Sequence, residues 1–353
     1  MKILLIKYRN IGDTLLSSAL ISNLKHHYPN AAIDFALNKG CEEMLSNNPD
    51  INKIIIYDRQ CIKNLGKFHQ IIEEIKLIRK IRNTNYEVVI NLTEGEKGAI
   101  LVLFSKAKKK LGYKIRKGIL SKIPIFHQLA NDVMTQHAVE KDLQFIPLLG
   151  HEVNKKNISI LWPSSIEQDI NNIVKENHLN DYVHVHPVSR WMFKCWEDDR
   201  MASVIDYLYF HKKYQVVITG SLIKNEMDRI NKIITLCKSE PLNLSGKLTL
   251  KHLACLSSKA KFFFGIDSAP AHIAAATNTS VIAILGASEA SKWGVWANEG
   301  KNLYVNKGIQ KNSQHVVLAD DNHSIIYIDG VKKCQGMLNI TLESVEEVIN
   351  EKY

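Results

Sequence analysis

The sequence predicts a protein of the α/β class with two doubly wound domains, each a parallel sheet covered by helices. Two observations lead to this prediction. Short, continuous apolar runs alternate with segments whose apolar residues recur at helical spacing, and this alternation is present in both halves of the chain. The length of 353 residues also exceeds what one hydrophobic core usually supports and suits two domains of ordinary size.

In the first half, apolar runs suited to buried parallel strands alternate with helical segments. The first helix is expected to begin at Asp13 and to end at Pro29, since proline interrupts a helix. The predicted strands are residues 2–7, 32–37, 53–57 and 86–92, and two further helices are predicted at residues 71–81 and 97–107.

The second half repeats the pattern, with predicted strands at residues 182–186, 215–219, 262–265 and 281–285. The segment Trp-Pro-Ser-Ser that begins at Trp162 breaks the alternation, so we expect domains at residues 1–164 and 165–338. Residues 339–353 are expected to contain an amphipathic helix. We expect its apolar side, which carries Leu342, Val345, Val348 and Ile349, to pack back on the first domain.

Basic residues are in excess, with 46 Lys and Arg against 36 Asp and Glu and a formal charge of +10. This balance favours a polyanionic partner, namely a phosphorylated substrate, an anionic membrane surface or nucleic acid. A dense basic stretch runs from Lys106 to Lys117 in the first domain. The stretch fits either docking of an anionic partner or a solvated loop.

The sequence also predicts a cytoplasmic protein without a transmembrane segment. The apolar stretch at the start is short, carries Lys7 and Arg9, and lacks the small-residue cleavage site of a signal peptide. The most apolar segment, residues 262–285, is interrupted by Asp267 and His272, which argues against a membrane span. The six cysteines are scattered, which favours reduced thiols over disulfides or zinc ligands.

Three loops at the carboxyl ends of predicted strands carry polar side chains, at the position where open parallel sheets bind ligands. In the first loop, Asp13 begins a helix and can serve as a general base or simply as a helix cap. In the second, Ser189, Arg190 and Lys194 offer donors for a diphosphate, or form a solvated basic turn.

The third loop runs from Gly265 into a helix. Asp267 can accept hydrogen bonds from sugar hydroxyls, and Pro270 fits the first turn of a helix whose free N–H groups attract anions. His272 fits either a ligand contact or a buried structural histidine. The order of the three loops suggests a nucleotide held by the second domain and a reacting carboxylate supplied by the first.

Two common nucleotide-binding classes are disfavoured. No Gly-x-Gly-x-x-Gly fingerprint follows the first strand, and the chain has no Walker A loop. The sequence therefore argues against a dinucleotide-dependent oxidoreductase and against a P-loop enzyme.

Five segments together resemble the ordered motifs of glycosyltransferase family 9, and the resemblance extends over nearly the whole chain. Its most specific element is the Asp-Ser-x-x-x-His-x-Ala-Ala pattern that begins at Asp267. The N-terminal stretch KYRNIGDTLL is most similar to the lipopolysaccharide core heptosyltransferase III branch of this family. The matching segments are residues 7–16, 186–196, 220–226, 245–247 and 267–276.

The resemblance implies a GT-B fold, in which two Rossmann-like doubly wound domains face a central cleft. It implies an inverting enzyme that moves L-glycero-D-manno-heptose from ADP-heptose to the second heptose of the lipopolysaccharide inner core. The acceptor would be phosphorylated and would lie at the inner-membrane surface, so a peripheral association with the cytoplasmic face is expected. No Asp-x-Asp metal motif is evident, and no cofactor is expected beyond the donor substrate.

The resemblance also assigns roles to individual residues. Asp13 would be the catalytic base, and Asp267 would bind the heptose hydroxyls. Donor contacts would come from Ser189 and Lys194 to the phosphates, Glu226 to the ribose, Lys247, Leu248 and Thr249 near the adenine, Ser268 and Ala269 through backbone N–H groups, and His272. Acceptor contacts would come from Lys7, Arg9, Asn10, Arg59 and Arg116. One departure is Ala269, which replaces the glycine usual in the family and restricts how closely the backbone approaches a phosphate.

Two alternatives stay open from the sequence. Another GT-B enzyme with a different nucleotide sugar would share most of these features. A basic nucleic-acid-binding protein would share the charge, although the chain has neither zinc-finger spacing nor an RNP-like aromatic strand.

Overall fold

The computed structural model describes residues 1–131 and 136–353. Within these residues the chain forms two compact units, Met1–Leu161 and Trp162–Tyr353. The division falls next to the Trp-Pro-Ser-Ser segment, where the sequence pattern also breaks. Each unit contains its own largely parallel sheet with helices between the strands, so the α/β class is confirmed.

The first unit is built on a sheet in which neighbouring strands pair in parallel. Its strands are β1 (Lys2–Lys7), β2 (Ala32–Asn38), β3 (Lys53–Tyr57), β4 (Val88–Asn91), β5 (Lys109–Gly112) and β6 (Gln128–Leu129). Its helices are α1 (Ile11–Leu16), α2 (Ser18–His27), α3 (Arg59–Asn64), α4 (Lys67–Thr84), α5 (Glu96–Phe104), α6 (Ala138–Leu143) and α7 (Phe145–Leu148). The strands lie in the order β3-β2-β1-β4-β5-β6.

The second unit has a larger sheet and a separate hairpin. Its helices are α8 (Ser164–Glu176), α9 (Asp198–Phe210), α10 (Lys224–Leu236), α11 (Leu250–Lys259), α12 (Ala269–Ala276), α13 (Ala290–Trp293), α14 (Gln335–Asn339) and α15 (Leu342–Lys352). Its strands are β7 (Tyr182–His186), β8 (Gln215–Ile218), β9 (Leu242–Asn243), β10 (Phe262–Ile266), β11 (Val281–Leu285), β12 (Gly308–Asn312), β13 (His315–Ala319), β14 (Ile325–Ile328) and β15 (Val331–Cys334). The main sheet has the order β12-β13-β11-β10-β7-β8-β9, and β14 pairs with β15 alone.

Both sheets reverse their strand order at the same topological position. In the first unit the chain runs from β1 outward to β3 and then returns to place β4 on the other side of β1. In the second unit it runs from β7 outward to β9 and returns to place β10 on the other side of β7. The loops after β1 and β4, and those after β7 and β10, therefore border the crevice in which doubly wound sheets bind ligands.

The central strands β1 and β7 are buried on both faces of their sheets. Ile3, Leu4, Leu5 and Ile6 of β1 are fully buried, as a continuous apolar run predicts for a parallel strand. The corresponding strand β7 is also buried throughout, including its two histidines. No helix within the described residues is long and apolar enough to cross a bilayer.

The C-terminal helix α15 corrects one expectation from the sequence. Its apolar residues Val345, Val348 and Ile349 are buried in the core of the second unit, where the helix packs against α9, and not on the first unit as expected. Two anchors fix this position. The ring of Tyr353 stacks on Phe262 with centroids 4.1 Å apart, and the indole N–H of Trp196 donates to a carbonyl in the segment that leads into the helix.

Candidate active site

The loop after β7 positions a cation at the order reversal of the second sheet. Lys194 ends a short 3-10 turn, Met192–Lys194, and its backbone N–H donates to the Trp191 carbonyl at 2.8 Å. Its ammonium nitrogen lies 2.6 Å from Oδ2 of Asp267 and 2.8 Å from Oγ of Ser288. The loops after β7, β10 and β11 therefore meet at one ammonium group.

Asp267 follows β10 directly, and its side chain is almost fully buried. Its backbone N–H donates to the Ile284 carbonyl of β11 at 2.9 Å, which fixes the residue to the edge of the sheet. A buried carboxylate needs a charged or hydrogen-bonding partner, and Lys194 supplies one. Asp267 and Lys194, predicted from separate motifs, are thus one ion pair.

The N-terminus of α12 lies next in the chain. Ser268 is the N-cap residue in an extended conformation, and its hydroxyl donates back to the Ile266 carbonyl at 3.2 Å instead of capping the helix. Pro270 lies in the first turn, where its lack of an N–H costs nothing. Ser268 and Ala269 are half-buried, so their backbone groups lie at an uncapped helix start that favours an anion.

The remaining predicted donor residues follow strands of the same sheet. Ser189, after β7, is buried, and its Oγ accepts from the Trp191 N–H at 3.3 Å. Glu226, in the first turn of α10 after β8, is also buried, and its Oε2 accepts from the Ser221 N–H at 3.1 Å. His272 is buried within α12.

The turn after β9 carries the three residues assigned to the adenine. Lys247 and Thr249 are exposed, while Leu248 is half-buried against a core cluster. The hydroxyl of Thr249 caps α11 by accepting from the His252 N–H at 3.4 Å. The predicted donor residues therefore lie in loops after β7, β8, β9 and β10, or in the helices that begin there, at the carboxyl edge of one parallel sheet.

A buried polar chain links the base of this site to the neighbouring helix layer. Oγ1 of Thr219 lies 2.7 Å from Nε2 of His184 and 2.9 Å from Nδ1 of His186, and Nδ1 of His184 lies 2.8 Å from the hydroxyl of Ser257. Burial lowers the pKa of His186 to about 4 and lowers the pKa of His184 well below its usual value. Both rings are therefore neutral near pH 7 and act as hydrogen-bonding groups.

In the first unit, Asp13 lies in the first turn of α1, beyond the carboxyl end of β1. Its Oδ2 accepts from the backbone N–H of Asn10 at 3.3 Å, and the side chain is half-buried. The contact is that of a helix-capping residue, as one of the two sequence interpretations predicted. The carboxylate can also accept from a substrate hydroxyl, because the hydrogen bond from Asn10 is long and each carboxylate oxygen can accept more than one such bond.

The position of Lys7 differs from the expectation that this residue contacts the acceptor. Its side chain is buried, and its ammonium lies 2.5 Å from Oδ2 of Asp142, which also accepts from the hydroxyl of Ser17 at 2.6 Å. A lysine held this way joins β1 to α6 and is not available to an acceptor. The local sequence around Lys7 could not predict Asp142 as its partner, because the two residues are 135 positions apart.

Three cations surround one carboxylate beside the order reversal of the first sheet. Glu94, after β4, lies 2.6 Å from Nζ of Lys141, 3.0 Å from Nε of Arg116 and 3.7 Å from Nη2 of Arg9. The side chain of Glu94 is mostly buried, whereas those of Arg9 and Arg116 are about half exposed, at 48% and 50%. The structure thus brings two predicted acceptor residues together, while Arg59 lies exposed at the start of α3.

Sequence reasoning missed Glu94, Lys141, Asp142 and Ser288 as members of these clusters. Glu94 follows a predicted strand, so its position at the carboxyl edge of the sheet was a usable signal. Ser288 follows the predicted strand at residues 281–285 and offered the same signal. Lys141 and Asp142 did not, because they lie within a helix and their partners are distant in sequence.

Over residues 1–131 and 136–353, no group of three or more His, Cys, Asp or Glu side chains is arranged to hold a metal ion.

Comparison with known proteins identifies the family. The model of glycosyltransferase family 9 (heptosyltransferase) matches residues 74–320. A lipopolysaccharide heptosyltransferase 3 of Escherichia coli is 32% identical over 310 residues, which cover 81% of this chain and 84% of that protein. The protein of the same name from strain K12 is 34% identical over 294 residues, covering 81% and 82%.

Solved structures share the fold over the full length. A glycosyltransferase family 9 protein from Veillonella parvula aligns with a TM-score of 0.79 and 20% identity, covering 99% of this chain and 96% of that one. The ADP-heptose lipopolysaccharide heptosyltransferase II of E. coli aligns with a TM-score of 0.75 and 20% identity, covering 100% and 98%. These alignments confirm the predicted GT-B class, and the chain belongs to glycosyltransferase family 9, the heptosyltransferases.

Proposed function

We propose that this enzyme transfers L-glycero-D-manno-heptose from ADP-heptose to the second heptose of the lipopolysaccharide inner core, with inversion at the anomeric carbon. The observation that carries the proposal is the Lys194 ammonium, held between Asp267 and Ser288 at the order reversal of the second sheet. The transferred heptose and the lipopolysaccharide acceptor follow the relatives named lipopolysaccharide heptosyltransferase 3, and the donor follows the ADP-heptose lipopolysaccharide heptosyltransferase II that shares the fold.

The second unit holds the donor in this proposal. As the glycosidic bond breaks, the ADP diphosphate gains negative charge, which Lys194 and the N-terminus of α12 stabilise. Ser189 donates to the same phosphates, and Asp267 accepts from the heptose hydroxyls. Glu226 binds the ribose hydroxyls. Its carboxylate is buried beside the loop after β8, where it already accepts from the Ser221 N–H, and a carboxylate is a strong acceptor for hydroxyl groups. The turn at Lys247, Leu248 and Thr249 borders the adenine.

Asp13 is the proposed general base. It takes the proton from the acceptor hydroxyl while that oxygen attacks the anomeric carbon from the face opposite ADP. One carbon–oxygen bond forms as the bond to the diphosphate breaks, so a single displacement inverts the configuration. Asp13 lies in the first turn of α1, beyond the carboxyl end of β1, where open parallel sheets bind their substrates.

The first unit binds the acceptor in this proposal. Arg9 and Arg116 expose parts of their guanidinium groups around Glu94, and Arg59 adds a further exposed cation. Both arginines, like Lys141, contact Glu94. A phosphorylated core oligosaccharide complements the exposed guanidinium groups, and acceptor affinity should fall steeply with added salt. The acceptor would be met at the cytoplasmic surface of the inner membrane.

No metal ion has a part in the proposed reaction. Lys194 and the α12 N-terminus supply the positive charge that a divalent ion provides to the leaving group in other transferases. Turnover should therefore persist in excess chelator. A requirement for a divalent ion would remove this part of the proposal.

The deciding experiment offers the purified enzyme ADP-heptose and a heptose-containing core acceptor, with UDP- and GDP-sugars as competing donors. Mass spectrometry should show the addition of one heptose, from ADP-heptose alone. The core isolated from cells that lack the protein should be one heptose shorter. Transfer from a UDP- or GDP-sugar would replace the proposed donor, and binding of nucleic acid without transfer would overturn the function.

A further inference from the structure

Helix α4 carries two apolar stripes, and only one of them faces the core. Leu77, Ile78 and Ile81 pack in the core of the first unit. Phe68 and Ile71 belong to the other stripe and are 72% and 58% exposed. Ile75 continues it at 40% exposed. The second stripe is a row of large apolar side chains in contact with water.

Positive charge lies on the same face. At 3.6 residues per turn, Phe68, Ile71, Ile75, Arg79 and Arg82 fall within an arc of about 80°. Both arginines are exposed. One guanidinium nitrogen of Arg82 donates to the Phe104 carbonyl at 3.2 Å, which orients the side chain along the surface. The face is thus apolar in its first half and cationic in its second.

The acidic residues of α4 lie outside this arc and have partners. Glu73 pairs with Lys76 at 2.7 Å. Glu74 accepts from the hydroxyl of Tyr57 at 2.7 Å and also pairs with Lys97. Their charges therefore do not offset the two arginines on the exposed face, which keeps a positive potential.

Single exposed apolar residues are normal on soluble proteins, but a contiguous stripe with cations on the same face is typical of helices that lie at a membrane surface. The apolar side chains enter the boundary between headgroups and acyl chains, and the arginines meet lipid phosphates. A protein partner would not require positive charge along the stripe, whereas an anionic lipid surface complements both parts of it.

We propose that the face of α4 formed by Phe68, Ile71, Ile75, Arg79 and Arg82 docks the enzyme on an anionic lipid surface. The inference rests on the proposed function in one respect, since an acceptor that is anchored in a membrane lies in such a surface. Docking confines the enzyme to the layer that contains its acceptor, and the transfer chemistry itself is unchanged.

The test compares binding of the full-length enzyme to vesicles of mixed phosphatidylcholine and phosphatidylglycerol with binding to phosphatidylcholine alone. The wild type should co-sediment with the mixed vesicles, and added salt should weaken the binding. The double variant Phe68→Ser/Ile71→Ser should bind at least about tenfold more weakly, because two apolar side chains no longer leave water on binding and their transfer free energy is lost. Arg79→Gln/Arg82→Gln should lose the preference for phosphatidylglycerol.

The matched control is Leu303→Ser, which removes an apolar side chain of the second unit that is 81% exposed and should leave vesicle binding unchanged. Unaltered binding of the Phe68→Ser/Ile71→Ser variant would overturn the proposal. So would light scattering that shows the wild type as a dimer and this variant as a monomer, since the face would then bind a second copy of the chain.

Activity separates docking from the transfer reaction. On a deacylated, soluble acceptor, the Phe68→Ser/Ile71→Ser variant should match the wild type, while on a vesicle-embedded acceptor its kcat/KM should fall about tenfold. If the wild type transfers heptose to neither acceptor but still binds anionic vesicles, the proposed function fails and the docking face stands. Equal activity of variant and wild type on both acceptors would count against the docking role.

Discussion

The ammonium nitrogen of Lys194 lies 2.6 Å from Oδ2 of Asp267, so the cation proposed to meet the donor diphosphate is held by the carboxylate proposed to meet the sugar. Ser288 completes the contact at 2.8 Å. The ammonium group is therefore in place before a donor arrives. Stabilisation of a leaving group depends on such preorganised charge, because reorientation during the reaction would cost part of the gain.

Replacing Lys194 with Met should lower kcat by about a hundredfold or more, since the charge that develops on the diphosphate loses its main cation. Asp267→Asn should behave differently. It removes the negative charge that shares Lys194, so ADP should bind at least as tightly as to the wild type while heptose transfer falls. Calorimetry with ADP and steady-state kinetics distinguish the two variants. Equal loss of ADP affinity in both would contradict the shared-lysine interpretation.

Asp13→Ala should reduce turnover by about a hundredfold to ten-thousandfold, the usual contribution of a general base, and leave ADP affinity nearly intact. Asp206→Asn is a suitable control. Its carboxylate also accepts backbone hydrogen bonds, from Lys238 and Ser239, but it lies within α9, away from the carboxyl ends of the strands. Substantial residual turnover in Asp13→Ala would reduce Asp13 to a helix cap.

Gly336→Ala should lower the free energy of unfolding by about 2 kcal/mol or more, as overpacking between two backbones does. A Cβ at Gly336 would overlap the carbonyl oxygen of Gly286, and one at Gly286 would meet the Gly336 backbone. Gly286 also precedes the loop that bears Ser288. Urea unfolding measures the effect. The control Gly330→Ala separates overpacking from backbone strain, because an added Cβ at Gly330 has no atom within 4 Å, whereas φ there is +76°. A neutral Gly336→Ala would show that the two segments separate easily.

Stability should fall as the pH drops from 6.5 towards 4. In the unfolded chain His186 regains a pKa near 6.5, whereas burial lowers it to about 4 in the folded protein. Between these values the unfolded state binds more protons, so the free energy of unfolding decreases, by about 2 kcal/mol at pH 5 from His186 alone. Urea unfolding at pH 7 and pH 5 measures the loss. His186→Gln should lose less than the wild type, and equal losses would exclude His186 as the source.

The strongly patterned elements could be predicted closely from the sequence. The bounds of β1, β3, β7 and β11 agree with the predicted runs, because each is a short segment rich in β-branched and other apolar residues. The short strands β6 and β9 contain two residues each. Periodicity has no meaning over such a length, so they could not be predicted.

Contacts between distant residues were harder to predict than the elements themselves. The apolar stripe of α15 showed which side is buried, but a stripe does not specify its partner, and the assignment to the first unit was wrong. The donor loops could be assigned to one edge, because parallel strands place their carboxyl ends together. The contacts of Arg9, Arg116 and Lys141 with Glu94 could not be predicted, because the three cations come from separate parts of the chain.

The repeated reversal of strand order has an evolutionary consequence. Each unit carries the loops of its order reversal at one edge of a sheet whose core is filled by its own residues. On the proposed division of roles, a lineage can exchange the segments after β1 and β4 to accept a new oligosaccharide and leave the core of the second unit intact. Grafting those segments between relatives is then the practical route to altered acceptor choice.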